Sequence, residues 1–157
     1  MDIKKLLFSL VLCLGAGGIG SYFTMPSIGT WYALLQKPVF TPPNWIFGPV
    51  WTFLYIMMGI ALYCVWKKRG LKYQSKIAAY TWFGMQLVLN VAWSAVFFWI
   101  HSIFVGFLII VGLWLAIAVT ILKFKELAPS TVWLLIPYLL WVSYACLLNY
   151  SLWRLNG

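Results

Sequence analysis

The sequence predicts an all-α integral membrane protein, a five-transmembrane-helix bundle making one domain over residues 1–157, on three observations. Hydrophobic residues make up 64% of the chain and charged residues only 8%, where soluble globular domains carry ~25% charged. The apolar residues fall into five runs, about 6–25, 45–66, 77–100, 103–122 and 132–153. Each is long enough, at ~1.5 Å per residue, to cross a hydrocarbon core of roughly 30 Å. The charges sit in the gaps, and unevenly. Lys4, Lys5, Lys67, Lys68, Arg69, Lys72, Lys76, Lys123 and Lys125 share one side of a five-span topology, and Lys37 and Arg154 the other. That asymmetry predicts a cytoplasmic amino terminus and a carboxy terminus on the opposite side. It also accounts for the net charge of +9 without a nucleic-acid partner, and it disfavours a dual-topology drug exporter.

The first span follows Lys4 and Lys5 and runs from Leu6 to Met25. A signal peptide also pairs a basic start with an apolar stretch, but this run is longer than a typical h-region and no A-x-A-like site closes it. Leu10 to Cys13 lacks the small residue that a lipoprotein site needs before its cysteine. Gly15, Gly17 and Gly20 spell G-x-G-x-x-G, yet no strand precedes them and no acidic residue follows about 20 positions on. With the small pair Ala16 and Gly20 they read instead as positions where a neighbouring helix comes close.

Pro26 to Pro43 reads as a long loop with a turn of helix at Thr30 to Gln36. Trp31, Tyr32, Leu34 and Leu35 make that turn apolar and aromatic, which suits the membrane interface. Long ordered loops in compact domains are often lids.

The second span, Trp45 to Trp66, organises the rest. It carries no charge until Lys67, and Trp51, Leu54, Tyr55, Met58 and Leu62 share one helical face. That face reads as the wall of a binding site inside the membrane. Pro49 near its start kinks the helix or sets its first turn. In the third span Gln86, Asn90, Ser94, Phe97 and His101 recur at helical steps, with Trp93 beside them, as one partly polar stripe. His101-Ser102 is a very tight connection to the fourth span. That span is aliphatic all round, with Gly106, Gly112 and Ala116 as packing positions, and should face lipid or a second subunit. Lys123 to Thr131 separates it from the fifth span, which Pro137 should bend early. There Trp141, Ala145, Leu148 and Asn149 share a face.

Between the span ends there is no Asp, Glu, Lys or Arg. Ion-coupled pumps hold an ionisable group there despite a cost of ~2.5–3.5 kcal/mol, so a pump is disfavoured. No Ser-His-Asp set, carboxylate pair or phosphate cradle is available for hydrolysis or group transfer. Cys13, Cys64 and Cys146 stand apart with no C-x-x-C and no neighbouring histidine, which reads as small buried hydrophobes and no metal site. His101, the only histidine, reads as an interfacial hydrogen-bonding residue, and haem ligation by it has little support. What remains is a weakly polar aromatic interior of Trp51, Tyr55, Asn90, Trp93 and Trp141, with Tyr32 above. Such walls suit a flat, largely apolar ligand through stacking worth ~0.5–1.5 kcal/mol per ring pair. Asn90 and Gln86 could orient it. The plainer alternative stays open: tryptophan and tyrosine gather at membrane interfaces, and asparagine or glutamine can simply join helices.

Three separated segments carry a resemblance: W-Y-A-L-L-Q-K-P-V-F-T-P-P-N-W-I-F-G-P-V-W-T-F-L-Y-I-M-M-G (Trp31 to Gly59), L-N-V-A-W-S-A-V-F-F (Leu89 to Phe98) and P-Y-L-L-W-V-S-Y-A-C-L-L-N-Y-S-L-W-R-L-N (Pro137 to Asn156). Over nearly its whole length the chain resembles the translocator protein family, also called the tryptophan-rich sensory protein or peripheral-type benzodiazepine receptor family. The resemblance implies a five-helix bundle, often a homodimer, with a pocket opening toward the loop between helices one and two. It implies porphyrins such as protoporphyrin IX or haem as ligands, with no required cofactor, together with isoquinoline and benzodiazepine-type drugs and, in eukaryotes, cholesterol. By motif, Trp51 and Trp141 match the tryptophan pair implicated in porphyrin binding and its light-dependent breakdown. Asn90 and Ala145 match pocket-lining positions, and Tyr32 matches a residue of the covering loop. The family's sterol motif matches Leu148-Asn149-Tyr150 through Arg154, but Leu71-Lys72-Tyr73 through Lys76 fits the same loose pattern. Ser94-Ala95 stands where the family often has proline, which alters the expected local bend.

The leading expectation is a membrane sensor or binding protein for tetrapyrroles, with Tyr32, Trp51, Tyr55, Gln86, Asn90, Trp93, Phe97, Trp141, Ala145 and Leu148 on the ligand. An enzyme that oxidatively degrades bound porphyrin through Trp51 and Trp141 is the alternative, and a passive transporter a third reading.

Overall fold

The structure, a computed structural model, describes residues 2–70 and 72–157, and every regular element among those residues is helical. Five of them are long and apolar enough to cross a membrane.

Helix α1 (Ile3–Ile28) begins at Asp2, whose carboxylate accepts from the Lys5 backbone N–H at 3.3 Å. That bond, backed by the charges of Lys5 and Lys4, holds the Asp2 carboxyl below its usual pKa. The helix runs past Pro26, where the sequence suggested it would stop. Proline forfeits one ladder bond, but here it lies two residues from the helix end. The carbonyl of Pro26 accepts from the Thr30 hydroxyl at 2.8 Å, and the Ser27 hydroxyl donates to the carbonyl of Phe98.

A single helical turn, α2 (Trp31–Leu34), lies in the connection to α3 (Asn44–Trp66), which starts directly after Pro43 and continues through Pro49. Helix α4 (Tyr73–Ser94) takes Lys76 into its first turn, so the basic connection before it is shorter than expected. Leu71 lies outside the described residues, and with it one end of the second sterol-like pattern.

At Ala95 the α-helical ladder gives way to a π-helical segment, Ala95–Trp99, in which Ile100 donates to the carbonyl of Ala95 at 3.0 Å. This break occupies the place where proline was missed. One extra residue per turn does what a proline kink would do, and it turns both Phe97 and Phe98 into the core. His101 follows with φ of 60°, a left-handed conformation that histidine adopts more readily than most residues.

Helix α5 (Ile103–Leu127) extends five residues beyond its expected end, carrying an exposed Lys123–Glu126 ion pair at 3.2 Å on its last turn. Pro129, not the charges, marks its stop. Helix α6 (Thr131–Asn156) is continuous through Pro137.

In cross-section α1 packs on α3 and α4, α4 on α5, α5 on α6, and α6 back on α3. Helix α5 turns Ile110, Leu113, Ile117 and Phe124 inward and leaves Phe104, Leu108, Leu115 and Leu122 exposed. Gly59 permits a close approach of the α1 and α3 backbones, since a Cβ there would lie 3.0 Å from the Leu10 Cα of α1. Gly112, expected to pack, has open space where its Cβ would be.

Candidate functional site

The core of the bundle holds a relay of polar side chains that no charge interrupts. Tyr55 donates to Asn90 Oδ1 at 2.7 Å, Asn90 Nδ2 donates to Tyr138 Oη at 2.8 Å, and Tyr138 donates to Gln86 Oε1 at 2.8 Å. Gln86 Nε2 ends the chain on the sulfur of Met58 at 3.7 Å. Nearby, Trp93 donates to Asn149 Oδ1 at 3.0 Å, and Asn149 Nδ2 to the carbonyl of Ile103 at 3.0 Å. In an apolar interior each unpaired group would cost free energy, so the relay fixes how α3, α4 and α6 sit together.

Above the relay lies a cavity of about 520 Å³ between α1, α3 and α4. Trp51, Tyr55, Trp93, Phe98 and Tyr32 supply its aromatic walls, and Asn90, Ser94, Thr24 and Thr52 its polar points. No charged side chain lines it. Gly17, Gly18 and Gly20 form its α1 wall. A Cβ at Gly17 would lie 2.5 Å from Cδ2 of Tyr55, whereas at Gly18 it would meet nothing within 4 Å. The glycine cluster therefore does two things: it admits the Tyr55 ring and it keeps the cavity wall thin. Ser21 and Met25 of α1 and Trp45, Gly48 and Thr52 of α3 are exposed lining residues. They place the mouth between α1 and α3, on the side of the bundle, and not only under the loop.

The loop itself is tied down. Trp31 stacks on His101 with ring centres 4.4 Å apart and meets Phe97 edge-on at 5.5 Å. Asn156 accepts from the Gln36 N–H and donates to its carbonyl, both at 2.8 Å. The Tyr144 hydroxyl donates to the carbonyl of Phe40. Tyr32 is 3% exposed, and its hydroxyl has no hydrogen-bond partner among the described residues. Burial, then the neighbouring Tyr144, pushes its pKa up to about 12.

The expected site residues divide into three groups. Tyr32, Trp51, Tyr55, Asn90 and Trp93 line the cavity together, with Trp51 and Trp93 ring centres 6.4 Å apart. Phe97, Trp141, Ala145 and Leu148 line an adjoining gap of about 20 Å³, which shares Tyr32, Phe47, Trp51, Trp93 and Phe98 with the cavity. Gln86 lines neither, because its amide is spent on Tyr138 and Met58. Those two bonds tie α4 to α6 and α3 through Gln86. His101 stacks on Trp31 and does not line the cavity. Tyr138 was missed, although it sits three residues before Trp141 and seven before Ala145, on the face already singled out.

A family model described as the TspO/MBR family matches residues 9–154. The chain belongs to the TspO/MBR family. It is 42% identical to "Tryptophan-rich protein TspO" of Archaeoglobus fulgidus, over 100% of both chains. It is 38% identical to "Translocator protein" of Homo sapiens, over 95% of this chain and 88% of that one. It is 33% identical to "Tryptophan-rich sensory protein" of Cereibacter sphaeroides, over 99% and 94%. With five apolar helices in the bundle, this TspO/MBR family member is an integral multi-pass membrane protein.

Of the positions that the family resemblance implied, Trp51, Asn90 and Tyr32 face the large cavity, and Trp141 and Ala145 the small gap. In the sterol-like motif Leu148 and Asn149 are buried, while Tyr150 and Arg154 are exposed on the outer side of α6.

Proposed function

We propose that this protein is a membrane sensor or binding protein for porphyrins and similar flat hydrophobic ligands, with a part in their translocation. The observation that carries this reading is the cavity of about 520 Å³ walled by Trp51, Tyr55, Trp93 and Phe98. Its size falls within the roughly 300–1,000 Å³ of small-molecule sites, and its ratio of apolar wall to a few polar points is typical of them. A flat macrocycle entering between α1 and α3 would leave the bilayer without crossing water, with one face available to the Trp51 and Trp93 indoles.

Porphyrin carboxylates need a cation, and the walls supply none. We assign that part to Lys37, whose Nζ stands 4.8 Å over the Tyr32 ring and donates to the carbonyls of Ala33 and Leu35 in the unliganded protein. Isoquinoline and benzodiazepine-type drugs would take the same walls without that contact, and cholesterol is the weaker candidate because the sterol-like motif is split between core and surface. Homodimer formation, as the family resemblance implies, belongs to the same reading.

Titrating purified protein with protoporphyrin IX in the dark, and following tryptophan quenching, tests the proposal. Saturable binding that falls about tenfold in Trp51→Ala is the expected result, and binding unchanged by Trp51→Ala and Trp93→Ala would overturn it. Illumination separates the enzymatic alternative: a new product lost in Trp51→Phe and Trp141→Phe would support porphyrin breakdown, and quenching without product supports binding alone.

A further inference from the structure

Several hydroxyls of the bundle are spent on their own helices. Ser9, Thr24, Thr52 and Thr120 each donate to the carbonyl four residues back, at 2.7–2.9 Å. A hydroxyl committed in that way has no proton left for a ligand. Ser94 differs. It is 6% exposed and lines the cavity, yet its hydroxyl donates to no carbonyl and no side chain among the described residues.

The glycine opposite shows where that hydroxyl lies. A Cβ at Gly20 of α1 would be 3.2 Å from Ser94 Oγ and 4.0 Å from Tyr55 Oη, so both oxygens border the space that this glycine leaves in the cavity wall. Tyr55 has already given its proton to Asn90 Oδ1 at 2.7 Å, and its oxygen has only lone pairs to offer. An uncommitted donor thus stands beside an acceptor, and neither carries charge. The complement of such a pair is a neutral group that accepts and donates at once, which a hydroxyl does.

Depth decides which part of a ligand arrives there. Gly20 lies eight residues before the end of α1, about 12 Å from the loop at ~1.5 Å per residue. A macrocycle held by its carboxylates at Lys37 would bring its opposite edge to that level. An alkyl substituent on that edge leaves the Ser94 hydroxyl buried without a partner, whereas a hydroxyalkyl substituent supplies one. Proline, which the family often has at this position, could offer no hydroxyl.

We propose that Ser94, with Tyr55 Oη beside it, is a specificity-determining residue that selects macrocycles bearing a hydroxyl on the edge opposite their carboxylates. Such selectivity rests on the porphyrin reading above and names which members of that class this chain favours.

The full chain in mild detergent is titrated in the dark with haematoporphyrin IX and with mesoporphyrin IX, which has ethyl groups where the former has hydroxyethyl groups. The two partition differently into detergent, so the quantity compared is the ratio of their dissociation constants in parent and variant. Ser94→Ala should shift that ratio against haematoporphyrin by about fivefold and leave mesoporphyrin within about twofold. Its melting temperature should match the parent's, because no bond within the protein is lost. Gly20→Ala, whose methyl would stand in the space between the helices at Ser94, should shift the ratio in the same direction. An equal effect of Ser94→Ala on the two porphyrins, or none, would overturn the role of Ser94 while the porphyrin reading stands. Absence of saturable binding of either porphyrin to the parent would overturn both.

Discussion

Asn90 and Tyr138 meet across the bundle at 2.8 Å, and through that bond the cavity wall on α4 is fastened to the middle of α6. The Tyr138 hydroxyl is both acceptor and donor, so Tyr138→Phe leaves Asn90 Nδ2 and Gln86 Oε1 buried without their partner. Each stranded group costs ~1–3 kcal/mol in a site that water does not reach. We expect a drop of several degrees in the melting temperature in detergent, with a smaller effect on porphyrin affinity because Tyr138 does not line the cavity. A variant as stable as the parent would show that the relay is not holding the helices.

Tyr32 should behave in the opposite way. Its hydroxyl has no partner among the described residues, so Tyr32→Phe removes no bond and should leave the unliganded protein as stable or slightly more so. If the ligand takes up the hydroxyl, the same change weakens porphyrin binding by about 0.5–1.5 kcal/mol. The pH dependence follows from the raised pKa. The fold favours the neutral phenol, so its stabilising contribution is full below about pH 10 and is lost as pH rises through about 12. Melting curves between these limits should fall less steeply for Tyr32→Phe than for the parent.

The positions of the charges predict topology directly. A reporter active only in the cytoplasm should signal when fused to the amino terminus and stay silent at the carboxy terminus. The reverse pattern would refute the orientation read from the nine-to-two asymmetry of basic residues.

How far the sequence reached can be judged residue by residue. The five spans were legible because unbroken apolar runs have one meaning in a bilayer, where every backbone group must be satisfied within its own helix. Their ends were less so. Lys123, Lys125 and Glu126 looked like a loop, yet a charged last turn simply projects into the headgroup region while the ladder continues to Pro129. The inward face of α3 was readable from its spacing, and Leu54, Tyr55, Met58 and Leu62 are buried as that spacing implies. What spacing cannot reveal is which inward residues meet a space and which meet each other. Gln86 and Asn90 lie one turn apart on the same stripe, but only Asn90 borders the cavity, because Tyr138 from α6 closes over Gln86. The π segment left no trace in composition; within it Phe97 and Phe98 both pack against Tyr32 and Trp93.

The two tryptophans tied to porphyrin chemistry by the family resemblance are not equivalent here. Trp51 borders the cavity and Trp141 borders only the small gap adjoining it, against Phe47 at 6.1 Å and Tyr144 at 5.7 Å. Trp51→Phe should therefore weaken dark binding several-fold, as expected from loss of one stacking surface worth ~0.5–1.5 kcal/mol. Trp141→Phe should leave dark affinity within about twofold, since its ring acts through packing. Equal losses in both, measured by fluorescence titration, would place the ligand deeper than the cavity between α1, α3 and α4.

Adjacent glycines on α1 offer the sharpest separation of packing from space. At Gly17 a Cβ would press on the Tyr55 ring, which cannot retreat without breaking its 2.7 Å bond to Asn90. Gly17→Ala should accordingly cost about 1–3 kcal/mol of stability, as overpacking does elsewhere, and disturb the cavity wall with it. At Gly18 the same methyl enters open space at the mouth. Gly18→Ala should fold as well as the parent and gain slightly in helix propensity, whereas Gly18→Leu should narrow the entrance between α1 and α3 and slow porphyrin uptake with little change in melting temperature. Stopped-flow quenching reads the uptake rate. Unchanged uptake in Gly18→Leu, with the protein intact, would mean that ligands enter by the loop between α1 and α3 instead of through the side of the bundle.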